Sequence, residues 1–205
     1  MTTVCLREGG AATSPKWAAA AYENSSDKTL IRRIAAGDQS AMRAIFARYR
    51  VRVYRWLLRL IDDESLAEDL LSEVFLDVWR QAASFEARSS VSTWLLAIAR
   101  YKAFSARRRR TDAELDEATV CTVPDIADDP EVTLQKKNRA EALRQSLLRL
   151  SPDHREVIDL AYYHGKSVKE IAEIVSISEA TVKTRMFYAR RKLAELVEID
   201  VVGAP

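Results

Sequence analysis

Cationic and aromatic side chains alternate with apolar ones in one segment of the sequence, residues 90–110, which reads SVSTWLLAIARYKAFSARRRR. Its large apolar residues recur at the three- and four-residue spacing of a helix, and four consecutive arginines close it. Arginine and lysine side chains neutralise phosphates and other strong negative charges. The segment therefore predicts a helix that packs on one side and meets a polyanion on another.

Acidic side chains form a second pattern, in residues 66–81 (LAEDLLSEVFLDVWRQ). Asp69, Glu73 and Asp77 stand four residues apart with no lysine between them, although each such pair of like charges costs a helix about 0.2–0.5 kcal/mol. An acidic stripe on a basic part of the chain suggests a basic protein partner. A merely solvated helix face is the alternative.

A third pattern, in residues 167–192, is typical of a helix-turn-helix motif. Ser167 and Glu170 fit a capping box that opens a short helix, and the residues SIS at 176–178 separate it from a longer one. Ser176 stands where glycine is usual, at a cost of about 1 kcal/mol. An ordinary helical hairpin with a solvated basic face is the alternative.

The helix-turn-helix interpretation assigns roles to the outward side chains of the second helix. Its N-terminal half would enter the major groove of DNA, and its later cations would hold phosphates. The base-edge candidates are Glu179, Thr181, Lys183, Thr184, Phe187 and Tyr188, and the phosphate candidates are Arg185, Arg190, Arg191 and Lys192.

The sequence contains no recognisable catalytic or metal-binding pattern. His154 and His164 lie ten residues apart, Cys5 and Cys121 are isolated, and no glycine-rich phosphate loop is present. We expect no enzyme activity, no cofactor and no metal. A stand-alone helix-turn-helix regulator of duplex DNA, with the N-terminal part as a sensor, and an adaptor without promoter activity remain as alternatives.

Charge and periodicity predict the elements that position these side chains. Residues 28–110 carry 17 basic and 9 acidic side chains, residues 111–135 carry 8 acidic and no basic ones, and residues 136–198 carry 13 basic and 9 acidic ones. The apolar spacing is helical throughout, which predicts an all-α protein of two small domains joined by a flexible acidic linker. We predict a mobile extension at 1–26, a four-helix bundle at 27–111, the linker at 112–135, a helix-turn-helix domain at 136–198 and a tail at 199–205.

Local signals also predict where helices begin and end. Gly37 should end the first helix, Asp38 should cap the second, and Ser92 should cap the helix of residues 90–110. Ser151 should cap a later helix that Gly165 ends in a left-handed conformation. The longest apolar runs are far shorter than the ~20 residues of a membrane span, and no basic-then-apolar signal pattern opens the sequence. We therefore expect a cytoplasmic protein without membrane insertion.

Taken in order, these motifs resemble the extracytoplasmic function (ECF) group of bacterial RNA polymerase sigma factors. The resemblance is carried by GDQSAMRAIFARYR, AEDLLSEVFLDVWRQ, STWLLAIARYKAFSARRRR, the acidic linker and LSPDHREVIDLAYYHGKSVKEIAEIVSISEATVKTRMFYARRKL. It implies two helical domains, known as sigma regions 2 and 4, that bind core RNA polymerase, recognise a promoter and help to melt it. It also implies control by an anti-sigma factor, which the absence of a sensing motif in the chain supports.

The resemblance implies a role for each motif. Region 2 would bind the clamp helices of the largest polymerase subunit, and region 4 would bind the flap of the second largest subunit. The clamp-binding residues would be Asp69, Glu73, Phe75, Leu76 and Trp79, although Phe75 and Trp79 could instead be core residues.

The resemblance also implies which residues contact the promoter. The loop before residues 90–110, together with the helix itself, would receive the non-template strand of the minus-ten element, and the helix-turn-helix would read the minus-thirty-five element. Tyr101 replaces an asparagine that is usual in the family, which leaves the preferred minus-ten bases open. The minus-ten residues would be Phe85, Arg88, Ser89, Ser90, Arg100, Tyr101, Lys102, Arg107, Arg108, Arg109 and Arg110.

Overall fold

A computed structural model describes residues 26–113 and 145–202. The predicted extension at 1–26, the acidic linker at 112–135 and the tail at 199–205 lie largely outside these described residues. Within the described ranges every regular element is a helix, which confirms the all-α prediction. None of the described helices is long and apolar enough to cross a membrane.

The N-terminal part is a bundle of four helices. They are α1 (Asp27–Ala35), α2 (Gln39–Ile61), α3 (Glu64–Gln81) and α4 (Val91–Ala113), with a short 3-10 turn at Ala82–Ser84 after α3. Gly37 adopts a left-handed conformation (φ 86°) between α1 and α2, as the sequence predicts. Asp38 then caps α2 by accepting hydrogen bonds from the backbone N–H groups of Ser40 and Ala41.

The start of α4 differs from the prediction by two residues. Ser90, not Ser92, is the capping residue, because its hydroxyl accepts a hydrogen bond from the Thr93 backbone N–H at 3.2 Å. Both serines precede the apolar pattern, so spacing alone did not distinguish them. The earlier cap places Val91 in the first turn, where it is buried.

Apolar residues at helical spacing form the core of this bundle. Trp56, in the C-terminal half of α2, is the largest of the fully buried side chains among the described residues, and its indole Nε1 donates a hydrogen bond to the Leu96 carbonyl of α4 at 3.3 Å. The other core positions come from all four helices and include Leu30, Ile45, Leu57, Leu70, Val74, Leu95 and Ala99.

The C-terminal part contains the predicted helix-turn-helix. Its helices are α5 (Pro152–Tyr162), α6 (Val168–Val175) and α7 (Glu179–Val202). Ser151 caps α5, Gly165 is left-handed (φ 61°), and Ser167 and Glu170 form both hydrogen bonds of the capping box. These local signals therefore act as the sequence predicts.

Ser176 ends α6 in the left-handed conformation (φ 59°), which favours glycine. We expect Ser176→Gly to raise the free energy of unfolding by about 1 kcal/mol, because glycine lacks the Cβ that is strained in this conformation. Ser178→Gly is the matched control in the same turn. Ser178 caps α7 by accepting from the Thr181 backbone N–H, so its loss should lower stability by a few tenths of a kcal/mol. Denaturant unfolding measures both changes, and equal signs would contradict the interpretation of the turn.

The two domains pack directly against each other, which the sequence did not predict. Helix α6 lies against α4, and the buried apolar side chains form one cluster that extends from the bundle into α5 and α6. Polar side chains cross the same boundary. This arrangement brings the start of α4 next to the helix-turn-helix.

Candidate polymerase and nucleic-acid interfaces

The outer face of α3 carries the predicted clamp-binding residues, but only some of them are accessible. Asp69 is exposed and Leu76 is 46% exposed, so both are available to a partner. Phe75 is buried, with its ring edge-on to Phe46 at a centroid distance of 4.8 Å. Trp79 is half-buried against the core. The packing therefore places Phe75 in the core and leaves an acidic and aliphatic surface around Asp69 and Leu76.

The acidic stripe on α3 is partly neutralised by a lysine from α4. The Lys102 ammonium lies 3.1 Å from a Glu73 carboxylate oxygen and 3.0 Å from an Asp77 carboxylate oxygen. Hydrogen bonds from Lys102 to Asp77 and Glu73 raise the pKa of the lysine despite its burial. Lys102 is therefore engaged with the stripe in this structure, whereas the sequence places it among the phosphate contacts.

The loop between α3 and α4 holds the first group of predicted minus-ten residues. Phe85 is half-buried and packs on Trp94, with the ring centroids 4.8 Å apart. Arg88 is exposed and pairs with the exposed Glu86 at 2.5 Å. Ser89 is half-buried. The loop thus presents Arg88 to solvent and uses Phe85 to anchor itself on α4.

The exposed side of α4 presents an aromatic and cationic surface. Tyr101 is 71% exposed, and Phe104 one turn later is also exposed. The Arg100 guanidinium lies 4.5 Å from the centre of the Phe104 ring, and that of Arg107 lies 5.8 Å from it, both in cation–π range. Phe104 is not among the sequence-predicted site residues. The signal that could have identified it is its spacing of four residues from Arg100.

The arginines at the end of α4 differ in their contacts. Arg107, Arg108 and Arg109 are exposed, as phosphate contacts require. Arg110 is exposed as well, but its guanidinium lies 2.9 Å from a carboxylate oxygen of Asp63, the residue that caps α3. Hydrogen bonds from the backbone N–H of Leu66 and from the Arg110 side chain lower the pKa of Asp63.

Two other predicted minus-ten residues, Ser90 and Arg100, contact the C-terminal domain. Arg100 donates two hydrogen bonds to the Glu156 carboxylate of α5, at 2.6 and 3.3 Å. The Ser90 hydroxyl donates to Glu170 of α6 at 3.1 Å. Residues on one domain thus satisfy side chains on the other, and no local pattern in the sequence indicates which ones.

Glu170 is the centre of the polar contacts between α4 and α6. Burial alone would raise its pKa, but the Thr93 hydroxyl, both donors of Ser167 and the Lys166 ammonium lower it to about 2. Burial lowers the pKa of Lys166, and the neighbouring Glu170 opposes that effect. The carboxylate therefore carries a full negative charge at neutral pH within this contact.

Helix α7 presents its N-terminal half to solvent, as the recognition-helix interpretation requires. The exposed members of the predicted set are Glu179, Thr181, Lys183, Thr184, Phe187, Tyr188, Arg190, Arg191 and Lys192. Val182, Met186 and Ala189 lie on the opposite, buried side. The helix therefore has one face in the core and one face available to a ligand.

Four cations of α7 have partners within the C-terminal domain. Arg185 is half-buried and lies 2.6 Å from Asp153 of α5, and Arg190 donates to the Tyr162 hydroxyl at 3.1 Å. Arg191 and Lys192 both reach Glu195 on the next turn. Arg185 thus holds α7 against α5. Across the residues that the structure describes, no three His, Cys, Asp or Glu side chains converge as metal ligands would.

Two family models match the chain in the order that the motifs suggest. The model for sigma-70 region 2 matches residues 45–112, and the model for sigma-70 region 4 matches residues 140–193. The first match includes α3, the loop and α4, and the second includes the helix-turn-helix. Both surfaces described above therefore lie within matched regions.

Two similar proteins from mycobacteria are both ECF RNA polymerase sigma factors named SigK. The ECF RNA polymerase sigma factor SigK of Mycobacterium sp. (strain KMS) is 32% identical over 163 residues, which cover 77% of this chain and 83% of the relative. SigK of Mycobacterium bovis (strain BCG / Pasteur 1173P2) is 29% identical over 177 residues, covering 83% of this chain and 93% of the relative.

Two solved structures share this fold. CnrH, solved in complex with the cytosolic domain of CnrY, has a TM-score of 0.62 and 25% identity, covering 86% of this chain and 99% of that one. The sigma factor RpoE of Bartonella quintana, solved with the anti-sigma factor NepR, has a TM-score of 0.62 and 26% identity, covering 77% of this chain and 97% of that one. The chain matches the models for sigma-70 regions 2 and 4, and it is 32% identical to SigK of Mycobacterium sp. (strain KMS) over 77% of its length. The chain therefore belongs to the ECF group of RNA polymerase sigma factors.

Proposed function

We propose that the chain is the promoter-specificity subunit of an RNA polymerase holoenzyme in the cytoplasm. The α3 surface around Asp69 and Leu76 binds the clamp helices of the largest subunit, and the C-terminal domain binds the flap of the second largest. The loop and the exposed side of α4 receive the minus-ten strand, and α7 reads the minus-thirty-five element. The chain supplies binding and melting, and the core enzyme supplies the chemistry of RNA synthesis.

The observation that best supports this proposal is the surface of α4. A melted strand presents unstacked bases and phosphates, so its binding site needs exposed aromatic faces beside cations. Tyr101 and Phe104 supply exposed rings, and Arg107, Arg108 and Arg109 supply exposed cations. A regulator that reads only duplex DNA through α7 has no use for this surface.

Run-off transcription with purified core polymerase tests the proposal. A promoter library from the native genome should yield transcripts of defined start only when the chain is added, and the enriched templates should share two elements with a fixed spacer. A stand-alone regulator would instead bind duplex DNA without core polymerase and start no transcript. That second outcome would replace the proposal.

We also propose that an anti-sigma factor controls the chain. One structural neighbour, the sigma factor RpoE, was solved in complex with the anti-sigma factor NepR, and another, CnrH, was solved with the cytosolic domain of CnrY. Such a partner would cover the α3 and DNA-binding surfaces. Purification from native cells before induction should recover the chain as a stoichiometric complex, and recovery as a free monomer would count against this control.

The proposal makes Tyr101 a base-stacking residue of the minus-ten site. Tyr101→Ala should weaken holoenzyme binding to a single-stranded minus-ten oligonucleotide by about 1–3 kcal/mol, because an exposed ring provides a stacking face. The loss should depend on the oligonucleotide sequence. Equilibrium fluorescence titration at several salt concentrations measures it.

The double variant Arg108→Gln and Arg109→Gln is the control for the Tyr101→Ala variant. Loss of two phosphate contacts should reduce the slope of log affinity against log salt by about 1–2 and leave sequence preference unchanged. Tyr101→Ala should leave that slope unchanged. Normal binding of every oligonucleotide by the Tyr101 variant would remove the ring from the site.

A further inference from the structure

We propose that Lys28 and Ala87 are positioning residues of the minus-ten site: they hold the loop at residues 85–90, between α3 and α4, in one strained shape before any strand binds. This inference rests on the proposed function, in which the loop receives the strand. Neither residue belongs to the sequence-predicted minus-ten set. Their role is to sharpen the choice between bases, not to add affinity for phosphates.

The backbone of Ala87 shows that the loop is constrained, because it has a left-handed conformation (φ 56°). Among the described residues, the other non-glycine residues with positive φ are Asp62 and Ser176, and each of these ends a helix. Ala87 ends no helix, and its methyl side chain makes no hydrogen bond that would offset the strain. Such strain persists only where neighbouring groups enforce the conformation, and it is concentrated at ligand-binding sites.

One enforcing group comes from α1, which packs against the 3-10 turn that leads into the loop. The Lys28 ammonium donates a long hydrogen bond, 3.5 Å, to the carbonyl oxygen of Ala87. The two residues lie 59 positions apart in the chain, so this bond ties the loop to a different helix. It orients the peptide group between Ala87 and Arg88, and with it the direction in which the Arg88 side chain leaves the backbone.

Both ends of the loop are anchored, so the loop cannot relax there. Phe85 packs on Trp94 of α4, with the ring centroids 4.8 Å apart. At the other end the Ser90 hydroxyl accepts the hydrogen bond that caps α4. Residues 86–89 span the distance between these anchors, and Lys28 holds the backbone near the centre of this short segment.

A loop that is ordered before binding discriminates between bases better than one that becomes ordered on contact. A flexible loop adjusts to a wrong base, and it loses conformational entropy whichever base it binds. A fixed backbone keeps its shape and its polar groups in place, so a wrong base leaves groups unpaired or meets a clash. The groups that this backbone places are the exposed Arg88 and the half-buried Ser89, which follow Ala87.

The substitution Lys28→Met should loosen the loop without unfolding α1, because Lys28 is exposed and Asp27 still contacts Tyr49 of α2. Holoenzyme with this variant should bind a single-stranded minus-ten oligonucleotide about fivefold more weakly, and its preference over oligonucleotides with one changed base should fall by a similar factor. The slope of log affinity against log salt should keep its wild-type value. A direct phosphate contact would instead lower that slope by ~0.7 and leave the preference unchanged. Lys28→Arg keeps the donor and should bind like wild type.

Two substitutions at Ala87 test the backbone conformation itself. Glycine adopts a left-handed conformation without strain, so Ala87→Gly should keep the wild-type affinity within about threefold. Valine, which is β-branched, strongly disfavours it, so Ala87→Val should weaken binding by about tenfold with the salt slope unchanged. Arg32→Met removes an exposed charge one turn further along α1 and is the control for Lys28→Met. It should alter neither affinity nor base preference.

Hydrogen exchange of the free chain, measured by mass spectrometry over residues 85–90, follows the loop without DNA or polymerase. Lys28→Met and Ala87→Val should exchange faster there than wild type, and Arg32→Met should not. Unchanged exchange in both loop variants overturns the positioning role. If the wild-type holoenzyme binds no minus-ten oligonucleotide, the proposed function fails and this inference fails with it. If the wild type binds and discriminates but Lys28→Met does so equally well, only this inference fails.

Discussion

Replacement of Trp56 by alanine is expected to lower the free energy of unfolding of the N-terminal bundle by about 3–5 kcal/mol, the usual cost of truncating a buried aromatic residue. Trp56 is 1% exposed and lies in the C-terminal half of α2. It donates a hydrogen bond to the Leu96 carbonyl and contacts the His164 ring of the other domain. Truncation would therefore leave a cavity where α2, α4 and the C-terminal domain meet.

Denaturant unfolding followed by far-ultraviolet circular dichroism measures this loss. Val51→Ala is the control on the same helix, because Val51 is 52% exposed and its truncation should change stability by no more than ~0.5 kcal/mol. Similar losses in the two variants would show that the Trp56 environment is not a tightly packed core.

Reversal of charge at Asp69 is expected to weaken binding to core polymerase by about 2 kcal/mol, which corresponds to about thirtyfold in Kd. Asp69 is exposed on α3, so the substitution Asp69→Lys should leave the bundle folded. A basic partner surface would then meet a like charge in place of an opposite one. Glu73 is less suitable for this test, because it also pairs with Lys102 and its reversal would disturb the contact between α3 and α4.

A titration of labelled core enzyme with each variant measures the effect. Glu64→Lys carries the same charge change on an exposed residue in the first turn of α3, away from Leu76, and should bind core polymerase within a few-fold of wild type. Undiminished affinity of Asp69→Lys would remove the clamp-binding assignment from the α3 surface.

Helix boundaries show how much of the fold can be read from the chain. Asp38, Ser151 and the capping box of Ser167 with Glu170 act where the sequence predicts them, because a cap bonds backbone groups only two or three residues away. Ser176 takes the left-handed conformation for a similarly local reason. The sequence could not predict that Ser90, and not Ser92, caps α4, because both serines satisfy the same local rule.

The candidate surfaces were only partly predictable. Exposed Tyr101, Leu76 and Lys183 follow from helical periodicity, which separates an apolar face from a polar one. Periodicity alone did not decide whether Phe75 belongs to the core or to the partner surface. Packing of α2 against α3 decided it, by placing the Phe75 ring against Phe46.

The amino-acid sequence by itself determined the all-α class, the order of the helices, the helix-turn-helix and the family, because each depends on residue types at short, regular spacings. Only the tertiary structure decided which charges meet. Lys102 pairs with Glu73 and Asp77 across two helices, and Arg100 pairs with Glu156 across two domains, 56 positions along the chain. Such pairs depend on distances through space that the folded helices set, and neither helical period nor composition encodes them.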